Sequence, residues 1–563
     1  MMTRKEIIDH YKQNPEVSVL IIGAGVNGIG TFRDLALQGI DVLLVDKGDF
    51  CSGASAASSH MIHGGIRYLE NGEFRLVREA VQERNRLIEY APHYVKPLHT
   101  VIPIFKWFSG LFNAPFKFLR LLDKPAERGA VVIKIGMMFY DAFARNQGTV
   151  PKHKFLSRAE SIKRFPKINP QVLFTGHYYD GSMHTPERIC IDLLVDGQAA
   201  NDKARAINYL AVTGAKENRA TLMDQTNGAT YEIQPKLVIN AAGPWIDITN
   251  ARMGIKTQFI GGTKGSHLIL DNPELRDAIG ENEFFFENKD GRIVLIFPLL
   301  ERVIIGTSDI PIEDPDQAHC TEEEIDYFMD MVKIVFPDIP VKHDQIVFQF
   351  SGVRPLPAND DGSPGQISRD HSIEQTPTVD GLSFPIFNLV GGKWTSFRAF
   401  SEEATNLILG LLGRTRKTGT KTLPIGGGRD YPVDEDTKNS WIIKVSETFE
   451  MHPDRVQQLF ERYGTKAEAF AAYIATGDDL SLDHLTDYTQ REIEYITQME
   501  SVVHVDDLLL RRSLLAKLGH ITQDGIGEVA YIIGRVLGWN EARIEEEINR
   551  TVEILKTQHR MTL

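Results

Sequence analysis

Several features that would place a protein in a special class are scarce or missing in this sequence. Its 563 residues include only three cysteines, Cys51, Cys190 and Cys320, which are far apart in sequence. Such spacing excludes a disulfide framework and a zinc site. No uncharged apolar run reaches about 18 residues, and the N-terminus lacks the apolar core of a signal peptide, so the sequence predicts neither a transmembrane helix nor secretion.

Positive charge is also in deficit. The formal net charge is −14, which argues against a general nucleic-acid-binding protein. In contrast, 42% of the residues are hydrophobic, enough for a large buried core. A chain of this length is expected to form two to four domains. These properties predict a cytoplasmic protein, and any basic site in it must be local.

A glycine-rich turn between two buried strands is the first motif. The apolar stretch 17–22 predicts a strand, and Gly23, Gly25 and Gly28 follow with the spacing G-x-G-x-x-G. After a predicted helix, a second apolar strand ends at Asp46. The glycines let a backbone approach a pyrophosphate at the helix N-terminus, and the acid is placed to bind a ribose diol. The unit predicts dinucleotide binding.

Three later stretches favour a flavin over a nicotinamide. Residues 48–70 form a loop of small and hydroxyl residues, where nicotinamide enzymes usually continue with another βα unit. Residues 236–245 predict a strand that returns to the sheet after an inserted domain. Residues 386–404 predict a strand, a Gly391–Gly392 turn and a helix that begins near Lys393. A helix N-terminus there can stabilise the negative charge of a reduced flavin ring.

Together these motifs define a resemblance. The stretches GAGVNG, SSHMIHGGIRYLE, INAAGPW, KGSH, GTSD, SGVRP and GGKWTSFR resemble FAD-dependent glycerol-3-phosphate dehydrogenases of the aerobic, respiratory type. The likeness spans residues 17 to about 405. A weaker likeness continues in HVDDLLLRRSLLA, residues 504–516.

The resemblance implies an α/β fold with three parts. These are an FAD-binding, Rossmann-like domain of the glutathione-reductase and D-amino-acid-oxidase type, an inserted antiparallel β-sheet substrate domain, and a C-terminal helical domain. We expect the FAD-binding domain at 1–85, 157–259 and 348–410, the substrate-binding cap at 86–156 and 260–347, and the α-helical domain at 423–563.

Positions that match the family's motifs give the expected FAD contacts. They fall in the four segments that the motifs define, and no metal site is expected among them. The expected cofactor-binding residues are Gly23, Gly25, Gly28, Asp46, Lys47, Ser58, Ser59, Ile62, His63, Gly64, Gly243, Gly392, Lys393 and Thr395.

Five residues are the candidates for catalysis: His267, Arg354, Arg67, Lys393 and Tyr68. Arginine suits a phosphate because its guanidinium donates two parallel, charge-assisted hydrogen bonds. The pKa of histidine suits proton transfer from an alcohol, so His267 is the candidate base. Tyr68 is a candidate hydrogen-bonding partner of the substrate. For Thr307 and Asp309, a turn over the substrate pocket and a plain β-turn both remain open.

The function implied is oxidation of sn-glycerol 3-phosphate to dihydroxyacetone phosphate, by hydride transfer from C2 to N5 of FAD, with electrons passed to a quinone. An oxidase that uses O₂ and makes H₂O₂ is the first alternative, and an amine or amino-acid oxidase competes within the same fold. The set of Arg67, Arg354 and Lys393 favours a phosphate dianion over a carboxylate. An alternative of another class is a non-catalytic flavin or redox-sensing regulator.

Residues 104–124 are aromatic and cationic together, and residues 131–143 are apolar. They fit a surface that lies on a membrane, at the inner face of the cell membrane, or helices buried against the substrate domain. The resemblance favours the membrane, because the family's respiratory members are peripheral membrane proteins that reduce quinone. Homodimerisation and the role of the C-terminal region stay open.

Overall fold

The computed structural model describes residues 2–65, 73–107, 130–144, 150–288, 292–358, 370–377 and 381–563. Its strands, in chain order, are β1 (Glu16–Ile22), β2 (Val42–Val45), β3 (Met61–Ile62), β4 (Val95–Ile104), β5 (Lys154–Ser157), β6 (Phe174–Met183), β7 (Ala204–Ile207), β8 (Leu210–Lys216), β9 (Arg219–Asp224), β10 (Thr230–Asn240), β11 (Thr263–Leu270), β12 (Asn282–Glu287), β13 (Ile293–Leu299), β14 (Arg302–Gly306), β15 (Ile310–Pro311), β16 (Ile346–Arg354), β17 (His371–Gln375) and β18 (Ile386–Gly391).

The helices alternate with these strands in the first 411 residues and then replace them. They are α1 (Arg4–Gln13), α2 (Val26–Leu37), α3 (Phe74–Tyr90), α4 (Ala130–Ala144), α5 (Arg158–Arg164), α6 (Pro186–Ala200), α7 (Ile246–Arg252), α8 (Pro273–Ile279), α9 (Glu322–Val335), α10 (Phe397–Leu411), α11 (Glu435–Phe449), α12 (Pro453–Tyr463), α13 (Ala467–Ile474), α14 (Gln490–Met499), α15 (Val505–Asp507), α16 (Gln523–Leu537) and α17 (Glu541–Thr557).

The first sheet is built around β1. Strands β18, β10, β1, β2 and β7 lie side by side and parallel, and β17 joins the β18 edge antiparallel. All four residues of β2 are buried, as in a strand covered on both faces. One core cluster joins these strands to residues of α2, α6 and α10. The strands that complete this sheet therefore come from widely separated parts of the sequence.

The second sheet is larger and almost entirely antiparallel. Its main path is β15, β11, β14, β13, β12, β4, β6 and β3, with β16 paired to β11 and β5 paired to β6. The pair formed by β4 and β12 is parallel. Helix α9 packs on this sheet through buried residues such as Phe328 and Val332. The α/β fold with a separate antiparallel sheet and a helical C-terminal region is confirmed.

Two details differ from the sequence predictions. Strands β3 and β6, and most of β16, fall in ranges predicted for the FAD-binding domain, but they hydrogen-bond into the second sheet. The domain boundaries therefore stay a prediction. Helix α10 begins at Phe397, after the N-cap Ser396, so Lys393 precedes the helix instead of lying at its start.

The C-terminal helices pack against the second sheet. A cluster of buried side chains joins residues of α12 to α17 with Phe297 of β13, Ile304 of β14 and Phe348 of β16. Between α15 and Ser513 the chain makes one wide π turn, Leu508–Arg512. Among the helices of the described ranges, none has both the length and the apolar character needed to cross a bilayer.

Helix α4 has two different sides. Met137 and Tyr140 are buried in a cluster with residues of α3 and β6, whereas Ile135 is 48% exposed and Met138 is 58% exposed. In the predicted membrane-surface segment 104–124, residues 108–124 lie outside the described residues. For residues 131–143, the sequence left open a membrane surface or a buried helix. The structure shows one helix that is buried on one side and exposed on the other.

Candidate active site

The glycine-rich turn after β1 is shaped by close backbone contacts. Gly23 has φ +103°, and a Cβ there would lie 2.5 Å from the carbonyl oxygen of Ala241. A Cβ on Gly28 would lie 1.9 Å from the carbonyl oxygen of Gly23. Gly25 is the N-cap of α2, whose first turn carries no acidic side chain. The N-terminus of α2 thus presents N–H groups and a positive partial charge beside a backbone that a pyrophosphate can approach.

Asp46 directly follows β2, and its side chain binds the backbone of the glycine turn. Its carboxylate accepts hydrogen bonds from the N–H of Ala24 (2.6 Å) and the N–H of Gly48 (2.9 Å). Burial raises the pKa of Asp46 to about 6, although these two hydrogen bonds oppose the change. Each carboxylate oxygen can accept more than one hydrogen bond, so the group can also receive a ribose hydroxyl.

The segment after Asp46, here called the 46–60 loop, lies against this turn. The Ser55 hydroxyl oxygen accepts a hydrogen bond from the N–H of Val26, the first residue of α2, at 2.9 Å. The Ser55 carbonyl accepts one from the indole N–H of Trp394 at 3.1 Å. Ser55 therefore joins the glycine turn to the segment before α10. The small and hydroxyl-bearing residues of this loop predicted that it contacts the cofactor, but the sequence did not single out Ser55.

The segment before α10 completes a ring of contacts. The Thr395 hydroxyl donates to the carbonyl of His63 at 3.2 Å. A Cβ on Gly392, which has φ +90°, would lie 3.3 Å from Nδ2 of Asn27 in the first turn of α2. The predicted FAD contacts near 25, 60 and 393 thus meet at one place, although they come from opposite ends of the first 400 residues.

Other predicted FAD contacts have specific surroundings. Lys47 is ion-paired with Asp316 at 2.9 Å, and its ammonium lies 4.2 Å from the ring centre of Trp245. Gly243 begins the short 3₁₀ turn that includes Trp245 and has φ +57°. Three more residues lie in or beside the loop: the Ser58 hydroxyl accepts from the N–H of His60, Ile62 is buried in β3, and the N–H of Gly64 donates to Asp180.

His267 lies where the two sheets meet. It is on β11, is 1% exposed, and its Nε2 is 2.9 Å from the hydroxyl oxygen of Ser59 in the 46–60 loop. Its ring stacks on Phe350 of β16, with ring centres 4.8 Å apart and planes at 7°. Burial, and then the charge of Arg354, lower the pKa of His267 to about 3, so the imidazole is neutral near pH 7. A neutral imidazole is a proton acceptor.

Arg354 ends β16 and is fixed by the turn after β14. Its guanidinium donates to the carbonyl of Ser308 (3.1 Å), to Asp309 Oδ1 (3.0 Å) and to the Thr307 hydroxyl (2.9 Å). The side chain keeps 24% of its surface exposed. The turn thus holds the charged group in one orientation while leaving part of it accessible. Neither Thr307 nor Asp309 is a plain turn residue, since both bind Arg354.

Three glycines make room on the sheet face that carries His267. Residues 265 and 267 of β11 point to the same face, because side chains alternate along a strand. A Cβ on Gly265 would lie 2.5 Å from Nη2 of Arg354, and one on Gly306 would lie 2.2 Å from the ring of His267. A Cβ on Gly352 would lie 2.6 Å from Cβ of Ala57. The motifs KGSH, GTSD and SGVRP each contribute one of these glycines.

A buried polar network that the sequence analysis missed lies behind this face. Glu324 of α9 accepts hydrogen bonds from the Lys264 ammonium (2.7 Å) and from the Ser266 hydroxyl (2.9 Å), and also from the Ser308 hydroxyl. Burial raises the pKa of Glu324, but these hydrogen bonds outweigh it and lower the pKa below its usual value. The network fixes the turn that binds Arg354. No sequence spacing connects these residues, which the packing of α9 against β11 brings together.

The candidate residues are not all placed. Lys393 is 8% exposed, between Gly392 and the Trp394 that contacts Ser55. Arg67 and Tyr68 lie outside the described residues. Within the described ranges, no cluster of histidine, cysteine and acidic side chains could hold a metal ion. The structure therefore brings together Ser59, His267 and Arg354, and leaves the positions of Arg67 and Tyr68 as predictions.

The parallel sheet with its glycine turn, together with a separate antiparallel sheet, fits the class of FAD-dependent oxidoreductases. A family profile described as FAD dependent oxidoreductase matches residues 18–382. A second, described as the C-terminal domain of alpha-glycerophosphate oxidase, matches residues 418–544. FAD is the cofactor of this class, and the glycine turn, Asp46 and the 46–60 loop fit it.

Similarity to individual proteins identifies the family within this class. A glycerol-3-phosphate dehydrogenase of Synechocystis is 31% identical over 97% of both chains. A D-erythritol 1-phosphate dehydrogenase of Brucella abortus is 27% identical over 88% of this chain and 93% of its own. The crystal structure of a glycerol-3-phosphate dehydrogenase from Bacillus halodurans with FAD superposes with TM-score 0.74 at 21% identity, covering 99% of this chain and 98% of that one. The chain belongs to the FAD-dependent glycerol-3-phosphate dehydrogenase family.

Proposed function

We propose that the protein oxidises sn-glycerol 3-phosphate to dihydroxyacetone phosphate and passes the electrons to a quinone at a membrane surface. FAD, when bound, supplies the acceptor for the hydride that leaves C2 of the substrate. The observation that carries the proposal is the contact of His267 with Ser59 beside Arg354. This contact supports the proposal because a histidine and an arginine, the residue types suited to accept a proton and to bind a phosphate, lie next to the loop that continues from the cofactor turn.

In this mechanism, Arg354 binds the substrate phosphate. Its fork geometry matches two phosphate oxygens, and the contacts with Thr307 and Asp309 orient it before substrate arrives. Arg67 and Lys393 are proposed to share the phosphate charge, since a dianion calls for more than one cation. Tyr68 is proposed to bind a substrate oxygen.

His267 is proposed to take the proton of the C2 hydroxyl as the hydride leaves. The O–H bond breaks with its proton going to the imidazole, and its electron pair forms the C2 carbonyl of dihydroxyacetone phosphate. Burial and the charge of Arg354 lower the pKa of His267 to about 3, so the ring is neutral throughout the physiological range. A substrate phosphate dianion on Arg354 offsets that charge and raises the pKa towards the range in which an imidazole is an effective base. The Ser59 hydroxyl lies 2.9 Å from Nε2 of His267 and fixes the orientation of the imidazole ring.

The quinone is proposed as electron acceptor because one side of α4 is apolar and exposed. Two side chains of α4, Ile135 and Met138, are 48% and 58% exposed, and Lys134 is exposed as well. Trp107, which follows β4, is 52% exposed. Apolar side chains that enter a lipid interface, with a cation facing anionic headgroups, are typical of proteins that lie on membranes. Such a surface gives access to a quinone dissolved in the bilayer.

An anaerobic titration tests the substrate and the acceptor separately. Addition of sn-glycerol 3-phosphate to the yellow holoenzyme should bleach the visible flavin absorbance, whereas glycerol plus inorganic phosphate should not. D-erythritol 1-phosphate is the second substrate to test, given the relative of that name. A flavin that sn-glycerol 3-phosphate does not bleach contradicts the proposed substrate, and bleaching by D-erythritol 1-phosphate alone would replace it.

The bleached enzyme is then offered either a soluble quinone analogue or air. Rapid recovery of the absorbance with the quinone, and slow recovery without stoichiometric H₂O₂ in air, is the expected result. Fast recovery in air with H₂O₂ would replace the quinone-linked function by the oxidase.

A further inference from the structure

The 46–60 loop connects Asp46 of the cofactor turn to Ser59 at His267, and its two ends are held by the same C-terminal segment. Asp49, three residues after Asp46, contacts residues 511 and 512. His60, next to Ser59, contacts Lys517. The loop is therefore anchored by a part of the chain more than 450 residues away, since 462 positions separate Asp49 from Arg511 and 457 separate His60 from Lys517.

The Asp49 carboxylate is fully engaged. Oδ1 accepts from Arg512 Nη2 (2.9 Å) and from Asn208 Nδ2 (2.9 Å), and Oδ2 accepts from the Arg511 and Arg512 guanidinium groups. Asn208 also donates to the carbonyl of Ser501, so it too connects the loop to the C-terminal region. Asp49 and Arg512 are each 1% exposed. Burial alone raises the pKa of Asp49, but the charges of Arg512 and Arg511 hold it well below its usual range.

The π turn brings the two arginines to one carboxylate. Leu508–Arg512 is wound more widely than an α-helix, so consecutive residues are rotated by less than they are in an α-helix. Arg511 also pairs with Asp506 (3.1 Å) and Asp507 (2.7 Å). Those two carboxylates are held in turn, Asp506 by Arg550 and Asp507 by the Tyr209 hydroxyl. The cluster is thus charge-balanced and ordered on every side.

The second anchor has the same character. The Lys517 ammonium pairs with Glu187 of α6 at 2.5 Å and donates to Nε2 of His60 at 3.4 Å. All three residues are at most 4% exposed. His60 has a left-handed backbone, with φ +53°, and its carbonyl accepts a hydrogen bond from the N–H of Met183. A non-glycine residue in that conformation needs surrounding contacts to keep it there.

Stability alone does not account for these contacts. Buried ion pairs lose most of their Coulomb attraction to desolvation, and well-packed apolar residues often stabilise a fold as much or more. What buried pairs do provide is a single, directed geometry. Here that geometry is imposed on the loop between the ribose-binding acid and the residue that contacts His267.

We propose that Arg511, Arg512 and Lys517 are cofactor-positioning residues, through which the C-terminal region holds the 46–60 loop in the shape that binds FAD. They do not touch the cofactor themselves. They act through Asp49 and His60 on Asp46, Ser55 and Ser59. The proposal rests on FAD binding, and it stands whether or not the substrate is the one proposed above.

The release of FAD from holoenzyme variants tests this role. Arg512→Met and Lys517→Met each remove one anchor, and the rise in flavin fluorescence after dilution reports free FAD. We expect the Kd for FAD to rise about tenfold or more in each, because a buried carboxylate or imidazole loses its directed partner. The visible circular dichroism of the bound flavin should also change. Arg512→Lys keeps one charged donor and should recover part of the affinity.

Lys466→Met is the control. The Lys466 ammonium pairs with the buried carboxylate of Asp192 at 3.0 Å, so it also joins the C-terminal region to α6, by an ion pair outside the loop and its anchors. This variant should lower the melting temperature without changing the FAD Kd or the flavin dichroism. An equal loss of FAD in Lys466→Met, or an unchanged Kd in Lys517→Met, would overturn the proposal. Lys517→Met leaves Asp49 and its arginines intact, so it decides the matter even where Arg512→Met does not fold.

Discussion

The hydroxyl of Ser59 and Nε2 of His267 are 2.9 Å apart, although 208 positions separate the two residues in the chain. One belongs to the loop that follows the nucleotide-binding strands, and the other to β11 of the antiparallel sheet. This single hydrogen bond joins the cofactor half of the site to the substrate half. It brings the candidate base to the loop that follows the cofactor turn, and the first prediction below depends on it.

Replacing His267 by glutamine should leave FAD in place and remove the base. Because general base catalysis contributes about 10²–10⁴-fold, kcat should fall by that factor while the ratio of flavin to protein absorbance stays constant. Steady-state assays with sn-glycerol 3-phosphate and a soluble dye acceptor measure the change. His343→Gln, at a histidine whose side chain is 46% exposed, is the control and should keep full activity. A loss of only a few-fold in His267→Gln would exclude His267 as the base.

Arg354→Met should raise the KM for glycerol 3-phosphate more than it lowers kcat. The phosphate loses a pair of charge-assisted hydrogen bonds, so kcat/KM should drop by about a hundredfold or more. Arg354→Lys should recover only part of the loss, since an ammonium is a point charge without the planar fork. Arg219→Met, which removes an exposed ion pair between Arg219 of β9 and Glu232 of β10, should leave KM and kcat unchanged. Equal KM values in the three variants would refute phosphate binding by Arg354.

Gly28→Ala should abolish stable FAD binding. The new Cβ would lie 1.9 Å from the carbonyl oxygen of Gly23, so the turn must open. The purified variant should be colourless, and its apoprotein should not regain colour with added FAD. Gly527→Ala in α16 meets no heavy atom within 4 Å and should keep its flavin, with a gain in stability of up to about 1 kcal/mol. A yellow Gly28→Ala protein would show that the turn tolerates a side chain.

Glu283 predicts a pH dependence of stability. It is fully buried, accepts a hydrogen bond from the Thr100 hydroxyl at 2.7 Å, and burial raises its pKa from 4.5 to about 8. A carboxyl whose pKa is raised on folding keeps its proton in the folded state after the unfolded chain has lost it. Its contribution to the free energy of unfolding is fully present below the unfolded pKa and is lost as the pH rises towards the folded pKa. Between pH 5 and 8, Glu283→Gln should therefore gain about 1.4 kcal/mol per pH unit relative to the parent chain.

Urea unfolding at several pH values measures that gain. Glutamine keeps the acceptor for Thr100 but cannot ionise, so the two stability curves should be closest at pH 5 and farthest apart at pH 9. Glu281→Gln, at a neighbouring side chain that is 84% exposed, is the control and should follow the parent at every pH. Parallel curves for Glu283→Gln would mean that Glu283 does not change its protonation on folding.

Ile135→Glu and Met138→Glu should weaken binding to vesicles that contain anionic lipids. Each places a carboxylate on the exposed apolar side of α4, where it faces headgroups of the same charge. Cosedimentation should fall several-fold, and quinone reduction in vesicles should fall with it, while activity with a soluble dye stays constant. Ile443→Glu, at an isoleucine of α11 that is 53% exposed, should leave vesicle binding unchanged. Equal binding by all variants would exclude α4 as the contact.

The sequence predicted those parts of the molecule that depend on local pattern. The βαβ unit with Gly23, Gly25, Gly28 and Asp46 follows from buried-strand composition and glycine spacing, and it is present. The return of distant strands to the same sheet followed from the apolar stretches at 236 and 386, which are β10 and β18. The antiparallel sheet and the candidate site residues came from the resemblance instead.

Contacts that depend on three-dimensional pairing could not be predicted. Glu324 and Lys264 meet because α9 packs against β11, and no periodicity records that contact. Arg511 and Arg512 stood out as a motif, but their partner Asp49 is decided by where the C-terminal helices pack. The start of α10 was misplaced by four residues because the Gly391–Gly392 turn is followed by Lys393, Trp394 and Thr395, whose side chains make tertiary contacts before the helix begins.

The parallel pairing of β1 with β10, and of β10 with β18, has a consequence for biosynthesis. Val238 lies beside Leu20 on one side and beside Ile386 on the other, and Asp49 meets its partners only at residues 511 and 512. A ribosome adds roughly 5–20 residues per second, so about 25–100 seconds pass before residue 512 is made. Strand β1 can pair with β2 early, but β10 and β18 follow only after residues 240 and 391 are made. With the loop anchored as proposed above, stable capture of the flavin comes only after residue 517, and a nascent chain released before β10 is made exposes the edge of β1 for aggregation.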